Sequence, residues 1–115
     1  MIKLFILDDD GKVEYSYTCE DFEEAKKYLL KDMEYTWIEE FYRRKPYYRE
    51  PIRIVAPDAT VIEVDKMDML RTLSRTEYLN RVVIPFVDSV IEAAERSVKK
   101  NGYYDKEKYF SFERR

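Results

Sequence analysis

The chain has 115 residues, 39% of them Asp, Glu, Lys or Arg and 16% aromatic, at a formal net charge of −3. It contains no histidine, one cysteine and two glycines, which excludes imidazole bases, histidine-built zinc or copper sites, an internal disulfide and a glycine-rich phosphate loop. One domain over 1–115 is expected at this length, with 45% hydrophobic residues to build a single modest core.

Ile2, Leu4 and Ile6 alternate with Lys3, Phe5 and Leu7, Asp8-Asp9-Asp10-Gly11 intervenes, and Val13, Tyr15 and Tyr17 alternate with Glu14 and Ser16. Period-two alternation around an Asp-Gly turn predicts a β-hairpin. Thr18 as N-cap, with Asp21 three residues on and Tyr17 and Phe22 as a hydrophobic staple, predicts a helix over 19–45. Its apolar stripe runs through Phe22, Ala25, Leu29, Met33, Trp37 and Phe41, while Glu39 and Glu40 are placed on the solvated face, each with an arginine four residues on. Pro46 ends it.

A second hairpin is predicted from Ile52, Ile54 and Ala56, a turn at Pro57-Asp58-Ala59, and Val61, Ile62 and Val64. Asp65 then caps a short helix near 66–73. Ser74 and Glu77 form a capping box that opens a long helix ending near Asn101-Gly102. Pro85 lacks the donor that would bond the Arg81 carbonyl, so this helix is expected to kink or divide there. In the aromatic remainder, 108–113 alternates and reads as either an edge strand or a docked tail.

Hairpin followed by capped helix thus occurs twice. The expected architecture is α+β, ββαββα, with two β-hairpin-plus-helix units, 1–45 and 50–101, forming an antiparallel four-stranded sheet covered by two long amphipathic helices, and an aromatic C-terminal tail at 102–115. If the two hairpins stay apart, pairing between two chains would complete the sheet and make a homodimer.

Three segments invite a functional reading. Leu7-Asp8-Asp9-Asp10-Gly11-Lys12-Val13 is an apolar strand followed by D-x-D-G and resembles the first motif of haloacid-dehalogenase-like phosphatases. The resemblance implies a magnesium-dependent phosphohydrolase with Asp8 and Asp10 as nucleophile and acid/base, whereas the residues read directly give a solvated hairpin tip turned by Asp-Gly. Arg43-Arg44-Lys45-Pro46-Tyr47-Tyr48-Arg49, with Arg53 close behind, interleaves cations and aromatics in the manner of single-stranded nucleic-acid platforms. Its first three cations equally suit a helix C-terminus. Tyr104, Tyr109 and Phe112 belong to a second aromatic concentration, between lysines. Tyrosine and phenylalanine bring large contact area at low rotamer entropy, so Tyr47, Tyr48, Arg49, Tyr104, Tyr109 and Phe112 are the expected partner-binding surface.

These observations favour a non-enzymatic protein-interaction module, homodimeric, with no cofactor and no metal. The alternative is a single-stranded nucleic-acid or nucleotide binder using Arg43, Arg44, Lys45 and Arg53, which the acidic balance disfavours. The phosphohydrolase on Asp8 and Asp10 is the remote alternative. Cys19, without cysteine or histidine neighbours, reads as a plain buried or helix-start thiol. No apolar run approaches the roughly 20 residues of a membrane span and Met1 opens no signal-peptide pattern, so a cytoplasmic location is expected, that of a host if the protein is viral. Few amides and abundant Lys and Glu match proteins of hot environments. Small size without catalytic motifs suits a viral or mobile-element product that acts on a host complex.

Overall fold

A computed structural model describes residues 1–45, 52–55, 58–106 and 110–114. The chain is α+β, in the order β1 (Ile2–Leu7), β2 (Val13–Cys19), α1 (Phe22–Arg43), β3 (Ile52–Val55), β4 (Val61–Val64), α2 (Lys66–Thr72), α3 (Arg75–Tyr78), a π-helical turn (Leu79–Val83), α4 (Ile84–Asn101), β5 (Tyr103–Lys106) and β6 (Phe110–Arg114). It divides into two compact units, 1–31 with 87–115, and 32–86.

The first unit holds the expected four-stranded antiparallel sheet, in the order β2-β1-β6-β5. Its strands differ from the expected set. The second hairpin, β3–β4, forms a two-stranded sheet of its own, and the C-terminal strands take the place expected for it. The reason lies in β6: Phe110 and Phe112 are buried and stand opposite Ile6 and Leu4, so they extend the apolar face of β1, while Glu113 stands opposite Lys3 on the other face. The segment 108–113, read as an edge strand or a tail, contains most of a central strand. The true edge is β5, a four-residue strand too short to show a period.

Ile2, Leu4 and Ile6 point into the core with burial alternating along β1, and Phe22, Ala25 and Leu29 of α1 with Val87, Val90, Ala94 and Val98 of α4 are the helical side chains facing that sheet. Helix α4 ends where Gly102 adopts φ +85°, its N–H donating to the Val98 carbonyl at 2.8 Å. The Arg114 guanidinium donates to the Val98 and Lys99 carbonyls at 2.8 and 3.2 Å, placing a cation at the negative end of the helix. Lys26 on α1 and Asp88 on α4 pair at 2.6 Å, and this bond holds the lysine above its ordinary pKa.

Helix α1 starts later than the sequence suggests. Asp21, rather than Thr18, is the cap, accepting the Glu24 N–H at 2.9 Å. Thr18 and Cys19 remain in β2, paired with Lys3 and Ile2, because continuing the ladder against β1 satisfies more backbone groups than an early helical turn. Cys19 is fully buried, and burial, reinforced by Glu24 and Asp21, raises its thiol pKa. Thiolate character in the folded protein is thus suppressed up to higher pH than in the unfolded chain, so this group contributes stability below the ordinary thiol pKa and loses it at more alkaline pH. At pH 8 iodoacetamide is expected to label Cys19 at the rate of global unfolding, with denaturant giving fast labelling; fast labelling of the native protein would contradict this burial.

In the second unit the local caps match their sequence signals. Asp65 accepts the Met67 N–H at 2.8 Å, and Ser74 and Glu77 exchange the two bonds of a capping box at 3.2 and 3.4 Å. The helix runs on past Pro85, with right-handed helical dihedrals at Tyr78, Leu79 and Ile84, and is not divided there. The turn before the proline widens into a π turn, in which the Ile84 N–H reaches the Leu79 carbonyl, so the helix absorbs the missing donor as a local irregularity. In the β3–β4 turn Ala59 takes φ +68° and Asp58 accepts the Thr60 N–H at 3.0 Å; hydrogen bonding from the Thr60 side chain first, and from this N–H second, lowers the pKa of the Asp58 carboxyl.

Candidate functional site

The residues expected at a partner surface fall in three different settings. Tyr47, Tyr48, Arg49 and Tyr109 lie outside the described residues. Tyr104 is half-buried on β5, with its ring 6.1 Å from that of Phe112. Phe112 itself is 0% exposed, with the Phe22 ring 6.2 Å away on its other contact. That corrects its assignment to a contact surface: alternation along β6 sends Phe112 to the helix-covered face, where it fills the core.

The basic residues are mostly engaged within the second unit. Arg43 pairs with Glu39 at 2.8 Å, and Arg53 pairs across the hairpin with Glu63 at 3.3 Å. The Arg44 guanidinium donates to the Leu70 carbonyl and lies 4.8 Å from the Phe41 ring centroid. Lys45 is exposed, its N–H bonded to the Glu40 carbonyl at 3.2 Å as the helix ends.

At the first hairpin tip one Asp8 oxygen accepts the N–H groups of both Asp10 and Lys12 at 2.9 Å, and Gly11 takes φ +78°. Asp8 thereby organises the turn, and the chain returns antiparallel through β2 instead of crossing over into a parallel strand. Among the described residues no group of three or more acidic or thiol side chains is placed to hold a metal ion.

Sequence reasoning missed a buried polar cluster in the second unit. Glu40, assigned to a solvated face, is only 6% exposed, and the Tyr78 hydroxyl donates to its carboxyl. Lys66, 8% exposed, has its ammonium 5.6 Å from the Phe86 ring centroid, and all four residues line one small pocket with Met33, Thr36, Trp37 and the π-turn residues Val82 and Val83. A signal for Glu40 was present: it lies three residues after Trp37 and seven after Met33, on the apolar stripe itself. The pocket is partly open to solvent and admits one water-sized sphere, about 10 Å³.

Among the described residues the large exposed apolar side chains include Tyr35 and Tyr42 on α1 and Tyr103 on β5, and four more lie on strands β2 and β4. On β2, Val13 is 57% and Tyr15 54% exposed, and on β4 Val61 and Ile62 are 54% and 50% exposed. Strand β2 is the more developed of these elements: seven residues long, free of proline and lysine, and last in its sheet, so that one side of its backbone meets no strand among the described residues. Tyr17 stacks on Tyr28 of α1 at 4.7 Å and stiffens this edge from the helix side.

Comparison of the chain with protein-family models, with curated proteins and with solved structures gives no match. The α+β fold with an open-edged four-stranded sheet therefore defines its class, and the reading of function rests on the residues described above.

Proposed function

We propose that this chain is a small non-enzymatic protein-binding module that works as a homodimer. One observation carries the reading: Val13 and Tyr15 of β2 and Val61 and Ile62 of β4 are half-exposed or more on strands, where another chain can add by backbone pairing. No helix among the described residues is long and apolar enough to cross a membrane, and the proposed location is the cytoplasm. A viral or mobile-element origin, with a host complex as target, follows from size and composition alone. The nucleic-acid alternative draws on Arg43, Arg44, Lys45 and Arg53, of which three hold intramolecular partners.

Light scattering on the purified protein, alone and with a short mixed-sequence single-stranded oligonucleotide at low and moderate salt, separates the two. A dimer unaffected by oligonucleotide supports the protein-binding reading. A mass shift lost on adding salt would replace it with nucleic-acid binding.

A further inference from the structure

Resting on the protein-binding reading, we infer that strand β2 is the dimer interface and that its occupant is β2 of a second copy, so that two four-stranded sheets join edge to edge into one of eight antiparallel strands. The strand's own sequence selects the register. Isologous antiparallel pairing about a two-fold axis sets each residue opposite a fixed mate, and the choice of central residue decides which charges meet. Centred on Glu14, the two Glu14 carboxylates oppose each other. Centred on Tyr17, Glu14 faces Glu20 of the second copy. A centre at Tyr15 puts the irregularity of the β1–β2 ladder, where Ile6 pairs with Tyr15 but Leu7 with Val13, into the middle of the interface. Ser16, the midpoint of Val13–Cys19, avoids all three faults.

About Ser16, Tyr15 meets Tyr17 of the second copy twice over, and Glu14 meets Thr18. Lys12 and Glu20 beyond the strand ends are of opposite sign. Tyr15 and Tyr17 stand opposite Ile6 and Leu4 on β1, on the helix-covered face, so the half-exposed Tyr15 ring would pack beside the Tyr17–Tyr28 stack of the other copy. Apart from Glu14 and the ladder irregularity beside it, this edge strand lacks the lysine, proline or shortness that ordinarily blunts one. The other edge, β5, also exposes an aromatic, Tyr103 at 57%, but it has only four residues and carries Asp105 and Lys106.

The test uses the exposed Ser16 as a reporter on the axis. In this register the two Ser16 Cα atoms fall within the roughly 4.4–6.8 Å that a disulfide spans, whereas two Glu14 Cα atoms are about 13 Å apart. Ser16→Cys is therefore expected to oxidise to an intermolecular disulfide at least roughly tenfold faster than Glu14→Cys, with the wild-type chain and its buried Cys19 as control. Tyr15→Ser, which removes both Tyr–Tyr pairs, is expected to raise the dimer dissociation constant roughly tenfold in sedimentation equilibrium without unfolding the protein. A dimer in which Ser16→Cys fails to cross-link, or Glu14→Cys does so as fast, would overturn the β2 interface and leave the protein-binding reading standing. A wild-type monomer at all concentrations would overturn this inference as well; the oligonucleotide experiment then decides the broader reading separately.

Discussion

Phe112→Ala is expected to lower unfolding free energy by about 3–5 kcal/mol, the range for emptying a fully buried phenylalanine site. The ring is wholly buried in the first unit, in contact with the rings of Phe22 and Tyr104, and its backbone is central in the sheet, paired on both sides. Neighbouring elements are tied by the ladder and cannot collapse into the void, which puts the cost toward the upper part of the range. Chemical denaturation of the variant measures it. Near-wild-type stability with weakened association would instead make Phe112 the contact residue that its position in an aromatic tail first suggested.

Tyr78→Phe is expected to cost about 1–3 kcal/mol, the range for removing one partner of a buried hydrogen bond. The substitution keeps the ring, packed 5.8 Å from Phe41, and deletes only the hydroxyl that donates to the buried Glu40 carboxyl. Stability then falls because a hydrogen bond to a buried carboxyl is lost. A double variant, Tyr78→Phe with Glu40→Leu, separates the two contributions: replacing both members by apolar groups is expected to recover part of the loss. Equal and additive losses would show that the hydroxyl and the carboxyl are independent, contrary to the observed bond.

What the sequence made legible was local. The Asp8–Gly11 turn, the Asp65 cap, the Ser74–Glu77 capping box and a helical irregularity next to Pro85 each depend on residues within a few positions, and each appears in the structure. The errors arose where distant partners decide. Thr18 has a good capping side chain, but pairing of β2 with β1 holds it in the sheet and leaves the cap to Asp21. The first hairpin's partner is β6, about a hundred residues along the chain, and no local period distinguishes it from the nearer β3–β4 hairpin. Glu40 was legible as a stripe position but was grouped with Glu39, whose pairing with Arg43 is the surface contact expected of both. Lys66 carried no such signal, since the first residue of a short helix is ordinarily exposed. Of the candidate site, the aromatic character was readable; which aromatics reach the surface was set by strand alternation and by which strand forms the edge.

Amide hydrogen exchange of the native protein at low and high concentration tests most directly the claim that the chain works by association through its sheet edge. Backbone N–H groups of β2 that point away from β1 have no strand partner among the described residues. The account predicts that these alternate amides of Val13–Cys19 gain protection as concentration rises, while those of β5 do not. Protection independent of concentration along β2, or gained only elsewhere, would contradict it.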